Sequence, residues 1–120
     1  MDRAVERTLG GRYSEYMTLM DAVSVTSGAV VTHEKVYVGD YSAMTFGVST
    51  DQGCTVYVQF SDDGVNWYDP KTESDGDMSW NCNNEKICHT MSVAAQYVRI
   101  VIYNGSGSTA TVTAVLMLRA

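Results

Sequence analysis

Apolar and polar residues that alternate along two separate segments constrain the fold of this chain most strongly. The segment CTVYVQFSDDGVNW (residues 54–67) alternates until it meets Asp63-Gly64, and QYVRIVIYN (residues 96–104) alternates in the same way. Alternation with a period of two places successive side chains on opposite faces of a strand. Asp-Gly favours a tight turn because glycine enters the left-handed conformation freely. The first segment therefore predicts a strand followed by a β-hairpin turn, and the second predicts another strand, followed by a hairpin turn at Asn104-Gly105.

Similar strand patterns recur at regular spacing, with turn residues between them. They cover residues 17–26, 29–38, 43–50, 55–61, 86–93, 97–103 and 109–118. Short strands separated by turns in this way are typical of sandwiches and jelly rolls. We predict an all-β fold, a single jelly-roll-like or Ig-like antiparallel β-sandwich of seven to eight strands. The run 111–118 is apolar on both faces, so we expect it to be central in its sheet or covered by a partner subunit.

The N-terminal segment differs from the rest of the chain. Residues 1–16 lack alternation, and the 120 residues suffice for one ordinary domain. We therefore predict an extended N-terminal arm, residues 1–16, before a β-sandwich domain, residues 17–120. The first fifteen residues are charged and lack the apolar core of a secretory signal, and we expect no membrane partner. The residues assigned to an assembly arm are Arg3, Arg7, Arg12, Tyr13 and Tyr16.

The net charge of −6 is concentrated in one part of the chain. Residues 62–85 contain seven acids and one base, which gives −6, while the remaining seven acids and seven bases cancel. A nucleic-acid-binding surface needs clustered Lys and Arg to displace counterions from phosphates, so this distribution argues against one. We expect the acidic segment to face solvent or a basic patch on a partner.

The three cysteines do not form the even-numbered framework of a disulfide-rich secreted domain. Cys54 shares a face with apolar strand residues, which predicts a buried thiol. Cys82 and Cys88 flank a short polar loop, and both a disulfide and two free thiols remain open. A zinc site built from Cys82, Cys88 and His89 would have too few ligands.

The turn after the first alternating segment concentrates oxygen atoms. Hard cations such as Ca²⁺ prefer oxygen ligands, but the ordered spacing of an EF-hand loop is absent, and turn chemistry accounts for the same residues. We therefore assign no metal and no cofactor, with a weak calcium candidate at Asp62, Asp63, Asn66 and Asp69.

No catalytic constellation is visible in the sequence. Both His33 and His89 fall on predicted strands without a nucleophile motif nearby, and Gly-rich phosphate motifs are absent. We expect a protein that is not an enzyme and has no catalytic residues.

Four apolar or aromatic side chains around the acidic segment call for an explanation. Trp67 and Tyr68 follow the turn, and aromatic faces suit stacking on sugar rings, although Trp67 would equally pack into the core. Met78 and Trp80 lie in the longest polar interruption, where they predict a short edge strand or a docking surface for a neighbouring subunit. We assign all four to contact with a partner or a glycan.

Three segments together resemble a module of virion proteins from tailed phages and other double-stranded DNA viruses. They are VYVGDYSAMTFGVSTD, CTVYVQFSDDGVNWYD and AAQYVRIVIYNGSGSTATVTAVLML, and the resemblance covers about residues 36–118. In those families, small β-sandwiches build capsid decorations, minor capsid proteins and penton subunits, generally as symmetric oligomers.

The resemblance implies a non-enzymatic, capsid-associated structural protein of the virion, assembled in the host cell cytoplasm. Its partners would be copies of itself and other capsid proteins, gripped through the arm and the apolar edges. The alternative function is a carbohydrate-binding β-sandwich module for host attachment, which would use Trp67, Tyr68 and Trp80.

Overall fold

The computed structural model describes residues 14–70 and 78–120, and within these ranges the chain is all β. No helix in the described residues is long and apolar enough to cross a membrane. The strands are β1 (Ser14–Val25), β2 (Val30–Thr32), β3 (Val36–Tyr37), β4 (Ala43–Thr50), β5 (Cys54–Ser61), β6 (Ser79–Cys82), β7 (Glu85–Ser92), β8 (Tyr97–Asn104) and β9 (Ala110–Arg119). Each predicted strand is present, and the predicted run 29–38 is divided between β2 and β3.

The strands form two antiparallel sheets. Sheet A has the order β1-β9-β4-β7, and sheet B has the order β2-β8-β5-β6, with β3 also paired to β8. If β2 and β3 are taken as one interrupted strand, each sheet has four strand positions, and the fold is a jelly-roll β-sandwich. This confirms the predicted all-β sandwich, and β6 is the edge strand predicted around Trp80.

The core lies between the inner faces of the two sheets. Met44, Phe46 and Leu116 from sheet A and Val58 and Ile100 from sheet B are almost completely buried. Strand β9 lies between β1 and β4, as its two apolar faces predicted. Full burial of one such side chain contributes roughly 1.5–3 kcal/mol, so this inner layer accounts for much of the stability of the sandwich.

The loop that begins at Asn104 differs from the prediction. Asn104-Gly105 was expected to form a hairpin turn, but β8 belongs to sheet B and β9 to sheet A, so the loop crosses between sheets. The left-handed conformation falls on Gly107, with φ of 88°, rather than on Gly105. The buried Asn104 amide donates to the carbonyls of Val25 at 2.8 Å and Ser108 at 2.7 Å, and so ties the two sheets together at this end.

The start of the sandwich also differs from the prediction. Strand β1 begins at Ser14, so residues 14–16, which the sequence placed in the arm, belong to the sandwich. Tyr16 lies on this edge strand with 62% of its surface exposed. The other four residues assigned to the arm lie outside the described part of the chain: Arg3, Arg7, Arg12 and Tyr13.

All three cysteines are free thiols, so the structure resolves the alternatives left open for Cys82 and Cys88. Cys54 and Cys82 are buried and stand opposite each other on β5 and β6. Cys54 belongs to the buried core, which confirms its predicted place, and this burial raises the pKa of its thiol. Cys88 is exposed on β7.

Candidate functional site

The outer face of sheet A carries a zone without charged residues. The strand register aligns two rows of outward-facing residues across all four strands. One row is Tyr16, Met117, Thr45 and Thr90, and the other is Thr18, Val115, Gly47 and Cys88. We call these eight positions the uncharged face. Charged side chains flank it, with Arg119 at one end of the sheet and Lys86 towards the other. The Arg119 guanidinium reaches the border of the face, where its Nη1 donates to the Thr45 hydroxyl at 3.3 Å.

The uncharged face is flat around Gly47. A Cβ atom on Gly47 would stand 3.0 Å from Cγ2 of Val115, so glycine keeps the backbone close to that side chain. A shallow depression of about 220 Å³ adjoins these two residues and is lined mainly by apolar atoms. In the other row of the same face, the hydroxyl groups of Thr45 and Thr90 hydrogen-bond to each other at 2.7 Å, which holds the two side chains in place.

The loop after β5 is organised around one carboxylate. Oδ1 of Asp63 accepts hydrogen bonds from the backbone N–H groups of Val65 and Asn66, both at 2.8 Å, and from the Ser61 hydroxyl at 3.0 Å. Oδ2 accepts from the Asn66 side-chain amide at 2.7 Å. These donors, led by the Asn66 backbone, hold the pKa of Asp63 far below its ordinary value. Gly64 completes the turn with φ of 78°, as the Asp-Gly signal predicted.

The predicted calcium candidate coincides with this loop. The oxygens of Asp63 are already occupied by donors of the chain itself, and Asp69 accepts from Nε2 of Gln59 at 3.0 Å. Across residues 14–70 and 78–120, no group of three or more His, Cys, Asp or Glu residues is arranged to hold a metal ion. The carboxylates of Asp63 and Asp69 therefore serve the architecture of the loop and the outer face of sheet B.

After the loop, the chain returns towards β5 only briefly. The backbones of Phe60 and Tyr68 exchange two hydrogen bonds, at 3.0 and 2.9 Å, and form an isolated bridge. Trp67 lies on the outer side of sheet B, where the Arg99 guanidinium stands 4.3 Å from its ring centre. Trp67 is not part of the buried core cluster, so the alternative that it packs into the core is wrong.

The other residues assigned to partner or glycan contact occupy different environments. Trp80 packs against Phe46 and His89, with ring centres 4.9 Å apart in each pair, and it lines the core. Met78 is half-buried, whereas Tyr68 is 67% exposed. The structure therefore does not bring the four residues together into one platform.

A polar cluster that the sequence did not reveal surrounds Arg99. Its Nε donates to Oε1 of Gln59 at 2.7 Å, and the Gln59 amide in turn donates to Asp69. Gln59 and Arg99 stand directly opposite each other on β5 and β8. A recess of about 360 Å³ lies beside this cluster, and Trp67 and His33 are part of its wall. The sequence signal for this cluster was that Gln59 and Arg99 take outward-facing positions in the two alternating segments. That they stand opposite each other follows only from the register of β5 with β8.

His33 fills a gap in the pairing of sheet B. Its Nε2 accepts a hydrogen bond from the Ile100 backbone N–H at 2.9 Å, and its Nδ1 donates to the Glu34 carbonyl. This pattern requires the neutral ring with its proton on Nδ1. Burial lowers the pKa of His33, and the positive charge of Arg99 lowers it further.

The fold and its two outer faces define a small jelly-roll β-sandwich protein with one uncharged face and one polar, aromatic face. No family model matches the sequence, and no curated protein matches it. Solved structures with the same fold include two phage-derived proteins. The PBSX exported protein XepA superposes with a TM-score of 0.70 at 12% identity, covering 87% of this chain and 36% of XepA. The chain thus spans about a third of that protein.

The second phage-derived structure is similar in size to this chain. The SPBc2 prophage-derived protein YomS superposes with a TM-score of 0.57 at 13% identity, covering 88% of this chain and 94% of YomS. At these identities the comparisons establish the shared β-sandwich fold. That fold occurs in phage-derived proteins, as the resemblance of the sequence led us to expect.

Proposed function

We propose that this chain is a non-enzymatic structural subunit of a virion, a capsid-associated jelly roll that assembles with copies of itself. The observation that carries the proposal is the uncharged face of sheet A. The fold shared with two phage-derived proteins supports the same assignment. The expected partners are other copies of the chain and neighbouring capsid proteins, and the expected location is the virion.

The composition of the uncharged face favours burial in an assembly. Exposed surfaces of soluble domains normally carry interspersed charges, whereas the centres of protein interfaces are depleted of them. Here Met117 and Val115 lie side by side on the central strand β9, with the exposed ring of Tyr16 beside Met117 on β1. Water around these side chains would be released if a second protein surface covered them.

A second copy of the chain is the occupant that fits this face best. Each copy presents the same eight positions, so a two-fold axis that lies in the contact plane and runs parallel to the strands would bury both sets at once in an isologous interface. The exposed hydroxyl groups of Thr18 and Thr90 on the two edge strands can donate and accept, so they can pair across such an axis. Further contacts, through the arm, would then link these pairs to other capsid subunits.

The position of β1 supports a role for the arm. Strand β1 is the edge of sheet A, and Ser14 at its beginning pairs with Arg119 at the end of β9. The described part of the chain therefore begins at a sheet edge, beside the uncharged face. Three arginines in residues 1–13, Arg3, Arg7 and Arg12, would suit an acidic surface on a neighbouring subunit, such as the segment 62–85 of another copy.

The exposed thiol on the uncharged face provides the test. Cys54 and Cys82 are buried, so a bismaleimide should react first at Cys88. A two-fold axis at the centre of a four-stranded face would separate two Cys88 residues by roughly 15 Å, and the spacer should match this length. We expect the full chain at micromolar concentration to yield a covalent dimer.

The control moves the thiol to the opposite side of the sandwich. The double variant Cys88→Ser, Val30→Cys places it on β2 of sheet B, where Val30 is 58% exposed. This variant should remain uncrosslinked under the same conditions. Failure of Cys88 to crosslink, or equal yields from the two positions, would contradict assembly through the uncharged face.

A further inference from the structure

We propose that the outer face of sheet B binds an acidic oligosaccharide and that Arg99 holds a sugar carboxylate. The site is the Arg99 recess, about 360 Å³ in volume. Its walls are formed by His33, Glu34, Lys35, Gly64, Trp67 and Arg99. It lies on the opposite side of the sandwich from the uncharged face, so this binding does not depend on the proposed assembly.

The guanidinium of Arg99 is held in place before any ligand arrives. Trp67 supports its flat face at 4.3 Å, and Gln59 accepts from its Nε at 2.7 Å. Asp69 fixes Gln59 in turn by accepting from the amide at 3.0 Å. Three side chains thus set the orientation of one planar cation. The Arg99 side chain therefore loses its conformational entropy when the chain folds. Because little further entropy is lost when a ligand binds, the affinity is higher than for a mobile side chain.

The remaining edge of the guanidinium carries the terminal nitrogens Nη1 and Nη2 of Arg99. In residues 14–70 and 78–120, no side chain or carbonyl accepts a hydrogen bond from the terminal nitrogens Nη1 and Nη2 of Arg99. These two nitrogens form a fork that matches the two oxygens of a carboxylate. Lys35 lines the same recess, where its Nζ reaches the Gly64 carbonyl at 3.4 Å, and it would add a second positive charge.

Acceptor groups in the recess favour a sugar acid over a phosphate. Glu34 is part of the wall, and its carboxylate can accept from hydroxyl groups. A sugar acid offers one carboxylate for Arg99 and several hydroxyl donors for such acceptors. A phosphate monoester carries more negative charge than a single carboxylate, so the Glu34 carboxylate would repel it more strongly.

Aromatic rings extend the site along the sheet. Tyr97 and Tyr103 flank Arg99 on the outward side of β8, and Tyr57 lies diagonally across from Arg99 on β5. Tyr103 is 38% exposed. Tyr103 lies four positions after Arg99 on the strand, a distance of roughly 13 Å, which suits an oligosaccharide rather than a single sugar. Aromatic faces stack on the apolar faces of sugar rings, so Tyr57 and Tyr103 would hold the neighbouring units. The Tyr97 ring already contacts Lys35 and Tyr37.

Calorimetric titration of the full chain tests this proposal with matched ligand pairs. The probes are tetragalacturonate against its methyl ester, and 3′-sialyllactose against lactose. We expect at least one acidic member to bind and its neutral counterpart not to bind. Acetate at the same concentration should not substitute for the acidic oligosaccharide, because it makes no contact with the tyrosines.

The variant Arg99→Lys keeps the positive charge and removes the planar fork. It should weaken binding at least about tenfold, the effect expected for the loss of a charge-assisted hydrogen-bond pair. The matched control Arg119→Lys lies on sheet A and should bind like the unmodified chain. Because Arg99→Lys also disturbs the Trp67 stack, Lys35→Gln serves as a second variant. Its affinity should fall severalfold while the melting temperature stays unchanged.

Three outcomes would overturn the proposal. The first is that neither acidic probe binds at millimolar concentration. The second is that an acidic probe and its neutral counterpart bind equally well, or that acetate binds as well as the oligosaccharide. The third is that Arg99→Lys binds with unchanged affinity. None of these results would bear on assembly through the uncharged face, which is measured by crosslinking and mass.

Discussion

Nε2 of His33 accepts a hydrogen bond from the backbone N–H of Ile100 at 2.9 Å. The bond lies where sheet B has no regular partner strand, because β2 pairs with β8 as far as Val101 and β3 resumes the pairing at Val98. An unpaired backbone donor at this point would cost free energy on folding. The imidazole takes the place of the missing strand.

This contact makes stability depend on pH. Burial lowers the pKa of His33 below its ordinary value of 6.5, so the folded state prefers the neutral ring. The contribution of His33 to the free energy of unfolding is therefore complete above pH 6.5. It is lost as the pH falls from 6.5 towards the pKa of His33 in the folded state, because the unfolded chain takes up the proton first. Urea unfolding at pH 7.5 and pH 5.5 should show the loss.

The variant His33→Gln separates this effect from other titrations. The amide oxygen of glutamine can accept from the same N–H but does not titrate. In this variant the free energy of unfolding should therefore fall less between pH 7.5 and pH 5.5 than in the unmodified chain. In contrast, His33→Ala should cost about 1–3 kcal/mol at pH 7.5 through the unpaired N–H of Ile100. An identical pH response in the unmodified chain and in His33→Gln would contradict this role.

Asp63 should have the opposite dependence on pH. Its hydrogen bonds hold its pKa below the ordinary value of 3.8, so its contribution to stability is complete above pH 3.8 and is lost as the pH falls further. Asp63→Asn should lower the melting temperature at pH 7, and the difference from the unmodified chain should shrink below pH 3.8. The neighbouring Asp62→Asn provides the control. A larger loss from Asp62→Asn would show that the loop is organised differently.

The Asn104 side chain should be intolerant of substitution. Its amide group donates to two carbonyls, and its oxygen accepts from the Ser106 backbone and hydroxyl groups at 3.0 and 2.7 Å. Asn104→Asp would remove both donors and set a buried carboxylate against two carbonyl oxygens. We expect a loss of about 2–4 kcal/mol in chemical unfolding. The control Ser106→Ala keeps the amide donors and should cost less.

Removal of residues 1–13 should separate folding from assembly. The cut precedes Ser14, the first residue of β1, so the truncated chain should keep its far-ultraviolet circular dichroism and cooperative melting. It should, however, fail to enter virus particles when they are purified and their proteins are separated on gels. The triple variant Arg3→Ala, Arg7→Ala, Arg12→Ala tests whether the charges carry this effect. Normal incorporation of the truncated chain would exclude a role for the arm.

The sequence predicted the sandwich because strand alternation is a local property. Val56, Val58 and Phe60 each lie on the buried face of β5, and the two-sided apolar run placed β9 inside its sheet. The turn residues were a less reliable guide to how the strands are connected. Asp63-Gly64 formed a turn, but the hairpin expected there is reduced to a single bridge between Phe60 and Tyr68. After Asn104 the chain crosses between the sheets, because a dipeptide does not specify which sheet the next strand joins.

The two candidate sites could not be predicted from the sequence, because they depend on contacts between residues that are far apart along the chain. Arg99 meets Gln59 and Trp67 only through the register of β5 with β8 and the path of the loop after β5. The uncharged face arises from positions on four strands that are scattered along the chain, among them Tyr16 and Cys88. Such a surface becomes visible only when the strand order is known.

The mass of the full chain in solution, measured by light scattering on a sizing column, tests the proposed assembly most directly. We predict a closed oligomer with a mass that is an integral multiple of 13.2 kDa. Met117→Lys should reduce it to the monomer by placing a charge in the uncharged face, whereas Val30→Lys on sheet B should leave it intact. A 13.2 kDa monomer for the unmodified chain at all accessible concentrations would contradict self-assembly through sheet A.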